Sequence, residues 1–402
     1  MSLRFLTAGE SHGRGLVTIV EGLPAGLPIM AEEINRQLAR RQWGAGRGGR
    51  MKIEQDKAAI LSGVRASVST GAPIALEIPN RDWQRWQGVM DPQLPSRGTA
   101  KIDADSRLSQ LGEVTIPRPG HADLAGGMKY DQKDLRNILE RASARETAAR
   151  VAAGALARIF LSQAGVELAS EVIAVGSIAS QARPLASYAQ EETWQELAKL
   201  DSAPLRCADQ KAQERMVAQI QEAKARGDSL GGSFRVVVRG LVPGLGSHVH
   251  WERRVDGQLA GALMSIGSVK AVWVGLGSEA ATLPGSLVHD PIHYRGGFVR
   301  QTNNAGGIEG GITTGEPLIL GAALKPIPTL YNPLASVDLK THSEAAAQVE
   351  RSDCCVVPAA AVVAEAMVAL VLAQAYLDKF GGDTKADFLG SLASYQQRLA
   401  EY

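Results

Sequence analysis

A set of arginines sits among glycine and other small residues: Arg41, Arg47 and Arg50 in ARRQWGAGRGGRM, Arg118 in PRPGHAD, Arg141 and Arg145 in ERASARETAAR, and Arg351 in VERSD. A guanidinium is planar, permanently charged and forked, so it meets phosphate or carboxylate with two parallel hydrogen bonds. Small neighbours leave room for such a ligand. Lys plus Arg number 43 against 42 Asp plus Glu, so no basic field argues for nucleic acid and any anion site must be built locally. One arginine alone reads more simply as solvated or ion-paired, with Glu140 and Glu146 as local partners for Arg141 and Arg145. Several such loops together favour a polyanionic small molecule.

Two histidines sit in constrained loops: His12 between Ser11 and Gly13, and His121 after Arg118-Pro119-Gly120 and before Asp123. Each can titrate near neutrality as a general acid, or simply hold a turn with a structural hydrogen bond. His248/His250 and His289/Asp290/His293 are metal-ligand types, but the first pair alternates as a strand does and Pro291 disrupts a helical face in the second. No metal is expected. Residues 306–315 (GGIEGGITTG) can present backbone N–H groups to an anion, admit a planar ring, or form plain tight turns. Gly44, Gly46 and Gly49 satisfy GxGxxG, yet a helix precedes them where a dinucleotide fingerprint needs a strand. No P-loop signature is present, and although GESHG at 9–13 and GDSLG at 227–231 satisfy GxSxG, each runs into an expected strand where a nucleophile elbow must open a helix, so NTPase and covalent hydrolase chemistry lose support.

These groups need a frame. A chain of 402 residues with 45% apolar and 21% charged residues has the length for one large domain or two packed halves. Residues 15–22, 233–240, 271–275 and 317–324 read as apolar or β-branched strands bounded by Gly or Pro. Residues 32–41 read as a helix, acidic first and basic last as the helix dipole prefers, and 255–266 carries apolar residues at helical spacing. Two longer helices are expected at 135–160, where Arg141 and Arg145 would share one face, and at 359–380. The latter is apolar nearly all round, hence buried, and is closed by Gly381 and Gly382.

Laid without gaps, residues 9–27 (GESHGRGLVTIVEGLPAGL) match 227–245 (GDSLGGSFRVVVRGLVPGL). Leu230 stands where the first copy has His12, so this turn carries an ionisable group once. The expected organisation is a single domain, 1–402, built of two related halves at roughly 1–165 and 220–380. Segments 80–120 and 181–226 read as surface excursions, one of them a candidate lid. Cys207, Cys354 and Cys355 form no CxxC pattern and read as reduced thiols. The N-terminus lacks an uninterrupted apolar core, and no run approaches the roughly 20 apolar residues that span a bilayer. A soluble, cytoplasmic chain without membrane partners is expected.

In its motifs the chain resembles the chorismate synthase family: GESHG at 9–13, RRQWGAGRGGRM at 40–51, RPGHAD at 118–123, RASARETAARVAAGA at 141–155 and ALMSIGSVK at 262–270. TNNAGGIEGGITTGEP at 302–317, ALKPIPT at 323–329 and ERSDCCVVPAA at 350–360 extend the likeness over nearly the whole chain. The resemblance implies an α+β fold, a β-α-β sandwich with antiparallel sheets flanking a helical layer, usually assembled as a homotetramer. It implies a carbon–oxygen lyase that eliminates phosphate from 5-enolpyruvylshikimate 3-phosphate in an anti 1,4 sense to give chorismate, the last common step of aromatic amino acid biosynthesis by the shikimate pathway. Reduced FMN (FMNH2) is required without net redox change, as an electron-rich ring that stabilises developing electron deficiency and whose N5 receives the proton.

By the same resemblance, His12 would protonate the departing phosphate, His121 would stand near flavin N1, and Asp353 would assist proton removal. Substrate anions would be held by Arg41, Arg47, Arg50, Arg118, Arg145 and Arg351; the family also assigns Arg41 and Arg47 to a nicotinamide nucleotide (NADP), and substrate is preferred here. FMN contacts would fall to Arg141, Ala142, Ser143, Gly267, Ser268, Gly310, Lys325, Pro326, Ile327, Pro328, Thr329 and Arg351. Ser268, Ala271 and Gln42 depart from the commoner residues without touching an inferred catalytic group. No flavin reductase domain is recognisable, so reduced FMN is expected from an external reductase or another source. The rival readings are a metal-dependent phosphohydrolase on His289, Asp290 and His293, and a non-catalytic flavin or phosphate binder; neither accounts for His12, His121, Arg351 and Asp353 together.

Overall fold

The computed structural model describes residues 2–48, 55–93 and 113–402; Gly49, Arg50 and the stretch 94–112 of the expected excursion 80–120 lie outside the described residues. Two antiparallel sheets enclose a layer of helices. The first sheet runs in the order Arg4–Ala8, Gly15–Glu21, Ile74–Pro79, Ala59–Ile60. Alternation sends Leu16, Thr18 and Val20 of one strand and Ile74, Leu76 and Ile78 of another into the core, and leaves Leu6 and Ile19 exposed on the outer face. The second sheet runs Val269–Val274, Leu318–Leu324, Gly232–Arg239, Glu167–Val175, Ile178–Ala179.

The second sheet is covered on both faces, which explains its unbroken apolar runs. Phe234, Val236 and Val238 face the helical layer, while Val237 and Ile319 pack outward against Leu185, Tyr188, Trp194, Leu197 and Leu200. That outer cover comes from the segment expected to be a surface excursion. It instead contains helices Glu191–Lys199 and Gln210–Ala225, and the second buries Met216, Ile220 and Ala223 in the main core.

The helical layer holds Ala31–Gln42, Thr147–Ser162, Val357–Phe380 and Val255–Met264. At the closest crossing, a Cβ on Gly154 would lie 2.3 Å from Ala366 Cβ, so the alanine-rich sequence sets the interhelical spacing. Val357–Phe380 is long and apolar enough to cross a membrane, against expectation, but 89% of its most apolar window is buried inside the protein. Its Glu365 is buried with Arg40 at 2.7 Å, Arg158 at 2.6 Å and Arg206 at 3.4 Å, which compensates a carboxylate taken out of water. Gly381, at φ 62°, ends the helix as its sequence requires.

The expected single helix at 135–160 is two, Arg136–Ala142 and Thr147–Ser162. Ser143 is extended at φ −66°, ψ 144°, and its hydroxyl accepts the Arg145 N–H at 3.3 Å, so the first helix stops and a 3₁₀ turn intervenes. Arg141 and Arg145 consequently do not share a face. The strands Gly15–Glu21 and Gly232–Arg239 end at Gly22 and Gly240, both with left-handed φ, and an added Cβ would lie 2.5 Å from the Ser2 carbonyl and 2.2 Å from the Gly165 carbonyl respectively.

Candidate active site

The turn between the first two strands carries His12. Asn80, just beyond the third strand, donates to the carbonyls of Glu10 at 3.1 Å and Gly13 at 2.7 Å and pins that turn. From the other side, Glu140 accepts the His12 backbone N–H at 2.7 Å and pairs with its Nδ1 at 2.9 Å. The imidazole stacks on Trp86 with ring centroids 3.9 Å apart, and the Arg136 guanidinium lies 5.1 Å from the same indole. Burial alone would raise the Glu140 carboxyl, but the hydrogen bond and charge of His12, with Arg136, outweigh it and hold the pKa below the usual carboxylate range.

Arg118 organises the second histidine. Asp123, fully buried, accepts from Arg118 Nε at 2.8 Å and backbone N–H at 3.1 Å, and its other oxygen lies 2.5 Å from His121 Nδ1. Arg118 Nη1 donates to Thr329 Oγ1 at 3.0 Å, which ties this loop to the 325–329 segment. Burial works to raise the Asp123 carboxyl, yet His121 and Arg118 together hold it far below the usual range.

Arg41 and Arg145 share the buried Asp56, at 3.5 Å and 2.5 Å. Arg41 also donates to Thr147 Oγ1 at 2.9 Å and Arg145 to Asn80 Oδ1 at 2.9 Å, so both guanidinium groups are oriented before any ligand arrives. Burial pushes Arg41 down to about 10 despite Asp56, and the nearby charges of Arg47 and Arg145 add to that effect. Such crowding of like charge is relieved by an anion. Arg47 pairs with Asp353 at 2.7 Å, and Arg351 with Asp82 at 2.9 Å. Arg141 donates to the carbonyls of Gly9 at 3.1 Å and Thr7 at 2.9 Å. Lys325 donates to the Gly120 carbonyl, and burial with the neighbouring Lys270 lowers its pKa.

All of these groups except Lys270 and the supporting Thr7, Gly9, Glu10, Gly13, Asp56, Asn80, Asp123, Arg136 and Glu140 line one cavity of about 1340 Å³. Of the residues singled out in the sequence, it brings together His12, His121, Asp353, Arg41, Arg47, Arg118, Arg145, Arg351, Arg141, Ala142, Ser143, Gly267, Ser268, Lys325, Ile327, Pro328 and Thr329. Pro326 belongs to the same segment without lining the cavity. Gly310 stands apart at the turn between Ile308–Glu309 and Ile312–Thr313. Arg50 lies outside the described residues. Nine Arg or Lys side chains line the cavity against four Asp or Glu, in a chain of net charge +1. One wall is apolar, formed by Ile266, Val356, Ala359, Ala360 and Val363.

Sequence reasoning passed over Asp56, Asp82 and Trp86. Asp123 carried a signal in its spacing of two from His121, whereas Glu140 is 128 residues from His12 and carried none. Asp290 accepts from Thr302 Oγ1 at 2.5 Å and from the N–H groups of Asn304 at 2.7 Å and Ala305 at 3.0 Å, which commits it to clasping its loop. Among the described residues no group of three or more His, Cys, Asp or Glu could hold a metal ion.

Comparison with known proteins adds a consistent set of likenesses. Residues 3–377 match the family model described as chorismate synthase. The chain is 55% identical over 401 residues to the chorismate synthase of Moorella thermoacetica, covering 99% of this chain and 100% of that one. It is 54% identical over 409 residues to that of Geobacter sulfurreducens, with 100% and 99% covered. A crystal structure of chorismate synthase superposes with a TM-score of 0.79 at 41% identity, covering 100% of this chain and 99% of that one.

Proposed function

The chain belongs to the chorismate synthase family, and on that premise we propose that its cavity eliminates phosphate from 5-enolpyruvylshikimate 3-phosphate to give chorismate with the aid of reduced FMN. The observation that carries this reading is the lining of nine cationic side chains against four acidic ones, in a chain with almost no net charge. A substrate with two carboxylates and a phosphate, beside a flavin with another phosphate, is the kind of ligand such a lining attracts. Equal release of phosphate and chorismate from the shikimate ester by the pure protein tests it; phosphate without chorismate rejects it.

The residues present fit a flavin. The apolar wall of Ile266, Val356, Ala359, Ala360 and Val363 suits a planar ring, and Arg141, Ser143, Lys325 and Arg351 form a donor set for its phosphate. Gly267 meets nothing within 4 Å of an added Cβ, so the backbone is open to close approach there. When bound, reduced FMN supplies an electron-rich ring that stabilises electron deficiency as phosphate departs.

The chain's own residues bind, orient and move protons. Arg41, Arg145, Arg47, Arg118 and Arg351 hold the substrate anions, the first two in orientations fixed by Asp56. His12 donates a proton to the leaving phosphate through Nε2, because Nδ1 is engaged by Glu140. His121 would offer a proton beside a flavin held in this cavity. Asp353 takes part in proton removal, its carboxylate oriented by Arg47 at 2.7 Å and the Gly48 N–H at 2.5 Å. One domain of two related halves supplies these parts, a reading supported by the matched strands closed by Gly22 and Gly240. Exposed Leu6, Ile19, Tyr294 and Phe298 support assembly of further copies into a homotetramer. Reduced FMN comes from an external source, NADP is not required at Arg41 or Arg47, and the site of action is the cytoplasm.

A further inference from the structure

We infer that Glu140 and Asp123 are positioning residues that hold His12 and His121 in the Nδ1–H tautomer, so that each ring exchanges protons through Nε2. The inference rests on the reading of these histidines as proton donors and adds to it a pair of residues acting through them. The two constructions are independent in the chain yet alike in chemistry. In each, a buried carboxylate reaches imidazole Nδ1, at 2.9 Å for Glu140 and 2.5 Å for Asp123. In each, an arginine grips the same carboxylate, Arg136 at 3.4 Å and Arg118 at 2.8 Å. An ionised carboxylate only accepts hydrogen bonds, so the proton between the two groups belongs to Nδ1. Arg118 Nη2 also lies 3.1 Å from His121 Nδ1. The shorter contact with the acceptor-only Asp123 decides where that proton sits.

The carboxylates are well placed to impose the tautomer. Glu140 is held from both ends, through the Ser11 N–H on its carbonyl at 3.1 Å and the His12 N–H on its carboxylate at 2.7 Å. The stack on Trp86 fixes the plane of the His12 ring, so neither carboxylate nor imidazole can swing away without breaking the other's contacts. A histidine whose second nitrogen is fixed by a buried carboxylate has its tautomer and orientation chosen in advance, which is how such pairs support proton transfer in general.

The test has two readouts. In wild-type protein labelled with ¹⁵N-histidine, the ring nitrogens of His12 and His121, assigned by their loss in the Ala variants, should show protonated Nδ1 and unprotonated Nε2 in the neutral form. In Glu140→Gln, the amide can turn an N–H toward Nδ1 and reverse the tautomer. Its kcat should fall by about 10²-fold while KM stays within about twofold, and His12→Ala/Glu140→Gln should be no slower than His12→Ala. Asp123→Asn should act in the same way on His121. Protonated Nε2 in the wild type, or near-normal kcat in folded Glu140→Gln while His12→Ala is slow, would overturn the inference. Near-normal turnover by His12→Ala removes the proton-donor reading instead, and the ¹⁵N measurement then decides the positioning claim by itself.

Discussion

Asp353 is clamped between Arg47 at 2.7 Å and the N–H of Gly48 at 2.5 Å, so a residue far along the chain meets the glycine-rich loop after the first helix. Both donors orient the carboxylate, whose oxygens are the atoms that would take a proton. Asp353→Asn keeps the shape and removes that capacity. Its kcat should fall by about 10²-fold in a steady-state assay supplied with reduced FMN, with KM for the shikimate ester little changed. Unchanged kcat would remove Asp353 from proton removal.

His12→Ala and His121→Ala should each lower turnover by about 10²-fold or more. Neither ring is part of the apolar core, so far-ultraviolet circular dichroism should match wild type. Turnover near normal in either variant would remove its assigned role.

Buried Glu365 makes a prediction about acid stability. Burial would raise its carboxyl, but Arg40, Arg158 and Arg206 outweigh that and hold it at about 2, against an ordinary 4.5. A depressed folded pKa contributes stability that is present above the unfolded value and lost as pH falls through the folded one. Glu365→Gln should therefore cost about 3–5 kcal/mol near neutrality. In urea denaturation the gap from wild type should narrow as pH falls from about 4.5 toward about 2. A gap that stays constant over that window would contradict the assignment of charge.

Gly154→Ala separates helix propensity from packing. Within a helix alone, alanine is favoured over glycine by about 1 kcal/mol. Here the new Cβ would meet Ala366 Cα at 2.5 Å and its carbonyl oxygen at 2.8 Å, and backbone cannot yield as a flexible side chain does. Overpacking should win, with a net loss of about 1–3 kcal/mol in thermal or urea unfolding. A more stable variant would mean that the two helices separate at little cost.

Much of this architecture was legible because local chemistry agreed with the final packing. The β-branched strand 233–240 and the apolar helix ending at Gly381 needed no distant partner to declare themselves. The helix break at Ser143 was hidden because alanine and arginine on both sides favour continuation, and only the serine hydroxyl on the Arg145 N–H marks the stop. In the site, arginines in small-residue loops announced an anion pocket, and His121 with Asp123 was readable in a spacing of two. Asp56, Trp86 and the pairing of Glu140 with His12 were not, since each is defined by a tertiary contact: Asp56 joins Arg41 to Arg145, and Trp86 reaches His12 from a helix after the third strand. The 181–226 segment looked polar because its helices show one face to water, while the buried face of Glu191–Lys199 covers the second sheet and that of Gln210–Ala225 enters the main core.

The central claim is elimination assisted by reduced flavin in this cationic cavity. The most direct measurement is anaerobic conversion of 5-enolpyruvylshikimate 3-phosphate, following chorismate and phosphate together, with photoreduced FMN, oxidised FMN plus NADPH, or no flavin. Equal amounts of both products with photoreduced FMN, and none in the other two reactions, is the predicted result. Phosphate released without chorismate, or at the same rate without flavin, would contradict the account.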